Sequence, residues 1–254
     1  MEKYQIYDDI KTRTNGDIYI GVVGPVRTGK STFITNFMQK LVLPNIQEIN
    51  SKQRTIDELP QSADGKTIMT TQPHFVPNEA VKIKVANAEM KIRMIDCVGY
   101  LVSGVMGHTE DEKPRLVKTP WSKKDLPFEE AAELGTTKVI REHSTIGICV
   151  TTDGSVTELP RANYIEAEER VVSELKACGK PFVIVLNCKS PNGSEAKKLT
   201  SQLKEKYQVP VVPLNAQDLK DDDVDKVVEH ILMEFPITSM QVHMPEWLRA
   251  LDYN

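Results

Sequence analysis

Residues Gly24–Ser31 carry the pattern G-x-x-x-x-G-K-S, whose residue types and spacing suit the binding of phosphate groups. Glycines allow backbone N–H groups to converge on phosphate oxygens, and the start of a following helix adds positive potential. The context fits, because the apolar run Ile18–Val23 precedes the pattern as a predicted strand and a helix with apolar spacing follows it. The residues predicted to contact a nucleoside triphosphate here are Gly24, Val26, Arg27, Thr28, Gly29, Lys30, Ser31 and Thr32.

Three side chains of this loop are candidates for a role in hydrolysis. Lys30 is expected to reach the β- and γ-phosphates, and the Ser31 hydroxyl is expected to ligate Mg²⁺. Arg27 is either a group that stabilises the charge of the transition state or a solvent-exposed or ion-paired arginine. The loop resembles those of guanylate-binding proteins and atlastins, which carry arginine at this position. That resemblance implies an arginine finger that acts in cis after self-association.

Asp96 and Gly99 form a D-x-x-G pattern at the end of a predicted strand. Asp96 is expected to hold Mg²⁺ through water, and the Gly99 N–H is expected to meet the γ-phosphate; the alternative is an ordinary turn. Thr70 or Thr71 is predicted to complete the Mg²⁺ shell and to sense the γ-phosphate, the alternative being a polar loop. Tyr100 stands where many GTPases carry the glutamine that orients water. Hydrolysis is therefore expected to be slow unless another group positions the water.

The sequence departs from the GTPase pattern where the guanine motif N-K-x-D is expected. Asn187 is present, but Cys188 replaces the lysine and Ser190 replaces the aspartate. A serine hydroxyl cannot accept the paired hydrogen bonds that guanine donates, which costs on the order of 1–3 kcal/mol of discrimination. ATP is therefore the expected substrate. Lys189 is predicted to lie near the base together with Asn187, as is Asn215, whose surroundings resemble the S-A element that backs the base.

Strand-like and helix-like segments alternate along the chain. The predicted strands are Asp17–Gly24, Val81–Val85, Lys91–Ile95, Ile146–Thr151, Pro181–Asn187 and Val209–Leu214. The predicted helices are Lys30–Leu41, Phe128–His143, Asn163–Cys178, Ser194–Lys206 and Asp222–Phe235. This order predicts an α/β fold, a P-loop NTPase of the GTPase-like (TRAFAC) type with a mostly parallel, doubly wound sheet. The short link Ala86–Met90 allows one antiparallel strand.

Two long connections flank the predicted phosphate site, Val42–Phe75 and Gly99–Pro127. We interpret both as mobile switch regions, the alternative being ordinary insertion loops. One P-loop ATPase domain is predicted over residues 1–235, and residues 236–254 are expected to be a tail or the start of a following domain.

Composition narrows the class of protein. The 254 residues carry a formal net charge of −4, which gives no electrostatic case for nucleic-acid binding. No apolar run approaches the roughly 18 residues of a membrane-spanning helix, and no signal peptide is expected at the N-terminus. The four cysteines form no C-x-x-C pair, so neither disulfides nor a zinc site is expected. An intracellular protein is predicted.

Several segments identify a family more specifically than the phosphate-loop pattern alone does. They are Gly16–Phe33, which includes that loop, Val42–Ile46, Thr67–Pro73, Asp153–Pro160 and Tyr164–Arg170. On these segments the chain resembles the stage IV sporulation protein A family of spore-forming bacteria, over essentially its whole length. The resemblance implies an ATPase, derived from GTPases, that hydrolyses ATP to reach a polymerisation-competent state. It implies that Lys30, Thr70, Thr71 and Asp96 belong to the site. Because members of that family are longer, this chain is expected to be their N-terminal nucleotide-binding domain.

The resemblance also implies a place and partners. The expected product is the basement layer of the spore coat, formed by self-association in the mother-cell cytoplasm at the outer forespore membrane. The expected partners are a small amphipathic, membrane-associated coat peptide and other coat morphogenetic proteins. Three alternatives stay open at this point: a regulatory GTPase, a scaffold that binds nucleotide without turnover, and a metabolic kinase. The altered guanine motif argues against the first, and the complete set of phosphate-site residues argues against the second. The absence of a clear arginine-rich lid argues against the third.

Overall fold

A six-stranded sheet forms the centre of the molecule. The computed structural model describes residues 9–60, 73–85, 88–104, 109–110, 113–119, 121–122 and 124–235. The strands of the sheet are β1 (Asp17–Val23), β2 (His74–Val85), β3 (Ala88–Asp96), β4 (Ile146–Thr152), β5 (Phe182–Asn187) and β6 (Val211–Leu214). Their order is β6-β5-β4-β1-β3-β2, and every neighbouring pair is parallel except β2 with β3. The predicted α/β fold with a mostly parallel sheet and one antiparallel strand is confirmed.

Helices cover both faces of this sheet. They are α1 (Lys30–Phe37), α2 (Ile49–Asp57), α3 (Phe128–Lys138), α4 (Ile165–Cys178), α5 (Ser194–Tyr207) and α6 (Asp221–Met233). α1 continues as the π-helical turn Met38–Val42 and α3 as the π-helical turn Val139–His143, while the 3₁₀ turn Arg161–Tyr164 leads into α4. None of the helices in the described ranges is long and apolar enough to cross a membrane.

The core consists of one hydrophobic cluster on each face of the sheet. α1 and α6 contribute to one cluster, and α3, α4 and α5 contribute to the other. Every residue of β4 and β5 is buried. Strands that are covered on both faces need apolar side chains in both directions, which explains their nearly continuous apolar sequences. This layering is the predicted doubly wound arrangement.

Two predicted strand starts were wrong, those of β2 and β3. β2 begins at His74, not Val81, and its register with β3 shifts between Val76 and Val81. That irregularity breaks the alternation of apolar and polar residues, so only the last five residues of the strand were recognisable. β3 begins at Ala88, which makes the link between the two strands shorter than Ala86–Met90.

Both predicted switch regions contain regular secondary structure within their described residues. The first contains α2, whose only apolar residues, Ile49 and Ile56, are both exposed, so no apolar run or buried face reveals the helix in the sequence. The second contains two short antiparallel pairs, Thr109–Glu110 with Lys113–Pro114 and Leu116–Val117 with Leu126–Pro127. Two-residue strands are too short to show a sequence period.

Candidate active site

The phosphate loop connects the carboxyl end of β1 to the first turn of α1. Three of its residues have left-handed backbone conformations: Gly24 (φ 142°), Arg27 (φ 63°) and Gly29 (φ 88°). A Cβ atom at Gly24 would lie 2.2 Å from the Val150 carbonyl oxygen, so only glycine fits there. The loop therefore has the tight curvature that turns backbone N–H groups towards one point.

Lys30 is buried at the start of α1, and its ammonium group is hydrogen-bonded by the phosphate loop. Its Nζ donates hydrogen bonds to the carbonyl oxygens of Pro25 at 2.7 Å and Gly24 at 3.4 Å. Burial lowers the pKa of Lys30, and the negative charge of Asp96 acts in the opposite direction. A buried cation whose hydrogen bonds within the described part of the chain go to carbonyl oxygens is well placed to bind stronger anionic ligands, such as phosphate oxygens.

Ser31 and Asp96 meet at the ends of two neighbouring elements, α1 and β3. The Ser31 hydroxyl donates a hydrogen bond to Asp96 Oδ2 at 2.5 Å. Burial raises the pKa of Asp96, while the Ser31 hydrogen bond and the charge of Lys30 lower it. A hydroxyl and a carboxylate beside a phosphate loop are the oxygen ligands that Mg²⁺ prefers. No group of three or more His, Cys, Asp or Glu side chains that could hold a metal ion lies within the described ranges.

The turn after Asp96 packs directly on the phosphate loop. Gly99 has a φ of 89°, and a Cβ atom there would lie 2.1 Å from the Gly24 carbonyl oxygen and 2.7 Å from Lys30 Nζ. The Val26 N–H donates a hydrogen bond to the Tyr100 carbonyl oxygen at 2.9 Å. The structure thus brings the D-x-x-G turn and the phosphate loop together, as the motifs predicted.

The side chain of Tyr100 is buried in the core and contacts α4. Its hydroxyl donates a hydrogen bond to Glu174, and the Arg170 guanidinium lies 4.7 Å from the centre of its ring. Burial, followed by the interaction with Glu174, raises the pKa of Tyr100. The tyrosine hydroxyl is therefore occupied by a carboxylate of α4 and does not serve as the water-orienting group at this position.

A cleft beside the phosphate loop, called the base cleft below because predicted base-binding residues line it, gathers residues from four connections. It is lined by Arg27, Gly29, Thr32, Val156, Asn187, Lys189, Asn215 and Gln217. Six of these were predicted from the sequence, whereas Val156 and Gln217 were not. Gln217 follows Asn215 closely in the chain, so a wider reading of the S-A element would have included it. Val156 follows β4, where no nucleotide motif gives a signal.

Asn187 joins the phosphate loop to the loop after β6. Its Nδ2 donates a hydrogen bond to the Thr28 carbonyl oxygen at 3.0 Å, and its Oδ1 accepts one from the Ala216 N–H at 3.0 Å. Both ends of the amide are thus engaged within the protein, which gives Asn187 a positioning role; direct contact with a nucleotide stays a prediction. Thr28 closes the loop from within, because its hydroxyl donates to the Pro25 carbonyl oxygen at 3.0 Å and its side chain is fully buried.

The remaining residues of the base motif differ in their exposure. Cys188 is buried, and its N–H donates a hydrogen bond to the Leu214 carbonyl oxygen at 2.9 Å, so the thiol does not cover a base in place of lysine. Ser190 is exposed beside the cleft-lining Lys189. The position that usually carries the guanine-binding carboxylate is therefore accessible but lacks the acidic group.

Two predicted sensor residues, Thr70 and Thr71, lie outside the described residues. A residue that the sequence did not suggest, His74, pairs with Asp96 in the register of β2 and β3, and its charge acts to lower the pKa of that carboxyl. Its position, shortly after the predicted sensor threonines, was the available signal.

Comparison with known proteins gives one consistent result. The model of the family described as stage IV sporulation protein A, ATPase domain, matches residues 1–236. The chain is 56% identical to stage IV sporulation protein A of Clostridioides difficile (strain 630) over 250 residues, which is 98% of this chain and 51% of that protein. It is 52% identical to the same protein of Bacillus anthracis, covering 99% of this chain and 51% of the relative. For Bacillus subtilis (strain 168) the identity is 50%, covering 100% of this chain and 52% of the relative. The chain therefore spans about half the length of the curated relatives it matches.

Proposed function

The chain belongs to the family of stage IV sporulation protein A ATPase domains, which confirms the predicted P-loop ATPase, and we propose that ATP turnover at the site described above drives assembly of a spore-coat scaffold. One observation carries the catalytic part of this proposal. Lys30, the Ser31–Asp96 pair and Gly99 converge on the curved loop Gly24–Ser31, at the carboxyl ends of β1 and β3. That is the edge of a parallel sheet at which ligands bind.

The proposed reaction is in-line attack of water on the γ-phosphate of ATP. Lys30 and the backbone N–H groups of the loop stabilise the charge that develops on the β- and γ-phosphates. Ser31 and either Thr70 or Thr71 would hold Mg²⁺ directly, and Asp96 would hold it through a water molecule. When bound, the ion neutralises phosphate charge and fixes the orientation of the triphosphate. Arg27, at the rim of the base cleft, is proposed as the group that adds positive charge when copies of the chain associate.

We propose that ATP is preferred over GTP at this site. The support is the exposed Ser190 at the position where guanine-binding proteins carry an aspartate. The hydrogen bonds that guanine donates from N1 and its amino group would lose their shared acceptor, at a cost of roughly 1–3 kcal/mol. Adenine makes no such demand on that position, so the nearby amides of Asn215 and Gln217 remain suitable neighbours for it.

The assembly and its location are proposals for the whole protein, of which residues 1–235 form the proposed ATPase domain. The matched relatives are named as stage IV sporulation proteins, which supports a role during spore formation. We propose that the protein acts in the mother-cell cytoplasm at the forespore surface, as a basement layer of the coat. The proposed partners are further copies of itself, a small amphipathic coat peptide at the outer forespore membrane and other coat morphogenetic proteins.

Sedimentation velocity tests the link between turnover and assembly. The parent chain in this test is the full-length protein that contains these 254 residues, compared without nucleotide and with Mg-ATP. It is studied beside Lys30→Ala and a control, Lys197→Ala, which removes an exposed lysine from α5. We expect ATP to produce larger species with the parent chain and the control but not with Lys30→Ala. Larger species that form equally well with Lys30→Ala, or no change with ATP in the parent chain, would contradict turnover-driven assembly.

A further inference from the structure

The loop after β4, Asp153–Pro160, forms part of the base cleft although no known nucleotide motif falls within it. Val156 lines the cleft together with Lys189 and Gln217. Ser155 Oγ accepts a hydrogen bond from the Lys189 N–H at 3.0 Å. The loop therefore supplies part of the cleft lining through Val156, and it holds the backbone of a second lining residue, Lys189, through Ser155.

Hydrogen bonds within the loop fix its shape. Asp153 Oδ1 accepts hydrogen bonds from the N–H and the hydroxyl of Ser155, at 2.8 and 2.6 Å. The Gly154 N–H donates to the Thr152 hydroxyl at 3.0 Å. Gly154 has a φ of 90°, and a Cβ atom there would lie 2.9 Å from the Arg161 nitrogen, so the turn requires glycine. This preset shape presents Val156 at the cleft without further ordering.

An ion pair between the partly buried Arg161 and the buried Glu168 anchors both ends of the loop. Glu168, on α4, is fully buried and pairs with Arg161 at 2.6 Å. Arg161 also donates hydrogen bonds to the Thr151 hydroxyl at 3.0 Å and the Thr152 carbonyl oxygen at 3.3 Å, which ties it to the end of β4. The Tyr207 hydroxyl donates to Glu168 at 2.8 Å. A buried carboxylate is tolerated only when its oxygens are satisfied in this way, so the geometry of the anchor is tightly set.

We propose that the Asp153–Pro160 loop is a wall of the nucleotide site, in which the Val156 side chain packs against the purine base. Ser155 fixes the position of the Lys189 backbone through its hydrogen bond. Arg161 and Glu168 are positioning residues that hold the loop at the end of β4. The ligand is a purine nucleoside triphosphate. The inference rests on the proposed nucleotide site and adds a base contact outside the recognised motifs.

Binding of ATP and of inorganic tripolyphosphate, measured by calorimetry, separates contacts to the base from contacts to the phosphates. The variant is Val156→Ala, and the matched control is Val209→Ala, a partly buried valine in the core cluster outside the cleft. We expect Val156→Ala to weaken ATP binding by about threefold to tenfold, as loss of part of a buried aliphatic contact should, and to leave tripolyphosphate binding unchanged. Val209→Ala should change neither.

The outcomes distinguish this inference from the proposed function. If the parent chain binds ATP and Val156→Ala binds it with equal affinity, the proposed contact between Val156 and the base is wrong, while the proposed ATPase site still stands. Failure of the parent chain to bind ATP would overturn both.

Two further variants test the positioning role. Ser155→Ala removes the acceptor of the Lys189 N–H, and Glu168→Gln removes the charge that holds Arg161. We expect both to weaken ATP binding about twofold to tenfold while tripolyphosphate binding is retained. A general loss of structure would weaken the binding of ATP and of tripolyphosphate together. That result would overturn the proposed role of the loop in positioning contacts to the base.

Discussion

The Ser31 hydroxyl donates a hydrogen bond to Asp96 Oδ2 at 2.5 Å, which joins the second residue of α1 to the last residue of β3. The two residues lie 65 positions apart in the chain and meet because β1 and β3 are parallel neighbours whose carboxyl ends share one edge of the sheet. This contact brings the predicted magnesium-binding residues together at that edge of the sheet.

Asp96→Asn should separate folding from catalysis. The asparagine Oδ1 can still accept the Ser31 hydrogen bond, so the fold should be retained. The charge that would act on Mg²⁺ is lost, and we expect ATP hydrolysis to fall by about 100-fold or more. Phosphate release, with circular dichroism to confirm folding, measures the effect. Hydrolysis at more than half the parent rate would argue that Asp96 has no role in catalysis.

Gly29→Ala should break the hydrogen bond from Asn187 to the Thr28 carbonyl oxygen of the phosphate loop, a contact called the Asn187 latch here. A Cβ atom at Gly29 would lie 2.4 Å from Asn187 Nδ2, and the residue has a φ of 88°. We expect destabilisation of roughly 2–4 kcal/mol together with loss of ATP binding, because the Asn187–Thr28 hydrogen bond cannot persist. The control is Gly179→Ala, where φ is 64° and no atom lies within 4 Å of the added Cβ. That variant should lose only about 1 kcal/mol and bind ATP normally. Equal losses in the two variants, measured by urea denaturation, would argue against the latch.

Ser190→Asp should shift base preference towards guanine. The serine is exposed at the position where an aspartate accepts both guanine donors, so the substitution is sterically tolerable. We expect the ratio of GTP to ATP affinity to rise by about tenfold, measured by competition for a fluorescent nucleotide. The matched control is Ser190→Asn, which has a similar shape but lacks the carboxylate. An equal shift in both variants, or none in either, would indicate that the base does not reach this position.

The stability of the domain should depend on pH through His230, a half-buried residue of α6. Burial is the main cause that lowers the pKa of His230, and the charge of Lys204 adds to it while Glu229 opposes it. Below its ordinary pKa of 6.5 the unfolded chain binds more protons at this site than the folded one. The free energy of unfolding should therefore decrease as the pH falls below about 6.5. His230→Gln should lose less stability over the same range. Urea denaturation between pH 7 and 5 measures this, and parallel curves for the two proteins would rule out a contribution from His230.

Sequence patterns located most of the fold and the candidate site because their signals are local. The phosphate loop, the D-x-x-G turn and the buried strands β4 and β5 each combine a motif or an apolar run with a predictable neighbour. α2 escaped notice because it contains only two apolar residues, Ile49 and Ile56, and both are exposed. Val156 and the Arg161–Glu168 pair could not be assigned because their contacts to the cleft and to β4 form only in the folded chain.

The central claim, ATP hydrolysis around Lys30 with discrimination against GTP, is tested most directly by phosphate release in Mg²⁺ with each nucleotide, for the parent chain and for Lys30→Ala. Lys30 Nζ is held 2.7 Å from the Pro25 carbonyl oxygen, within the loop that would surround the phosphates. We predict turnover of ATP by the parent chain, at least about fivefold slower turnover of GTP, and a loss of about 100-fold or more in Lys30→Ala. Turnover that survives in Lys30→Ala, or a preference of the parent chain for GTP, would contradict the account.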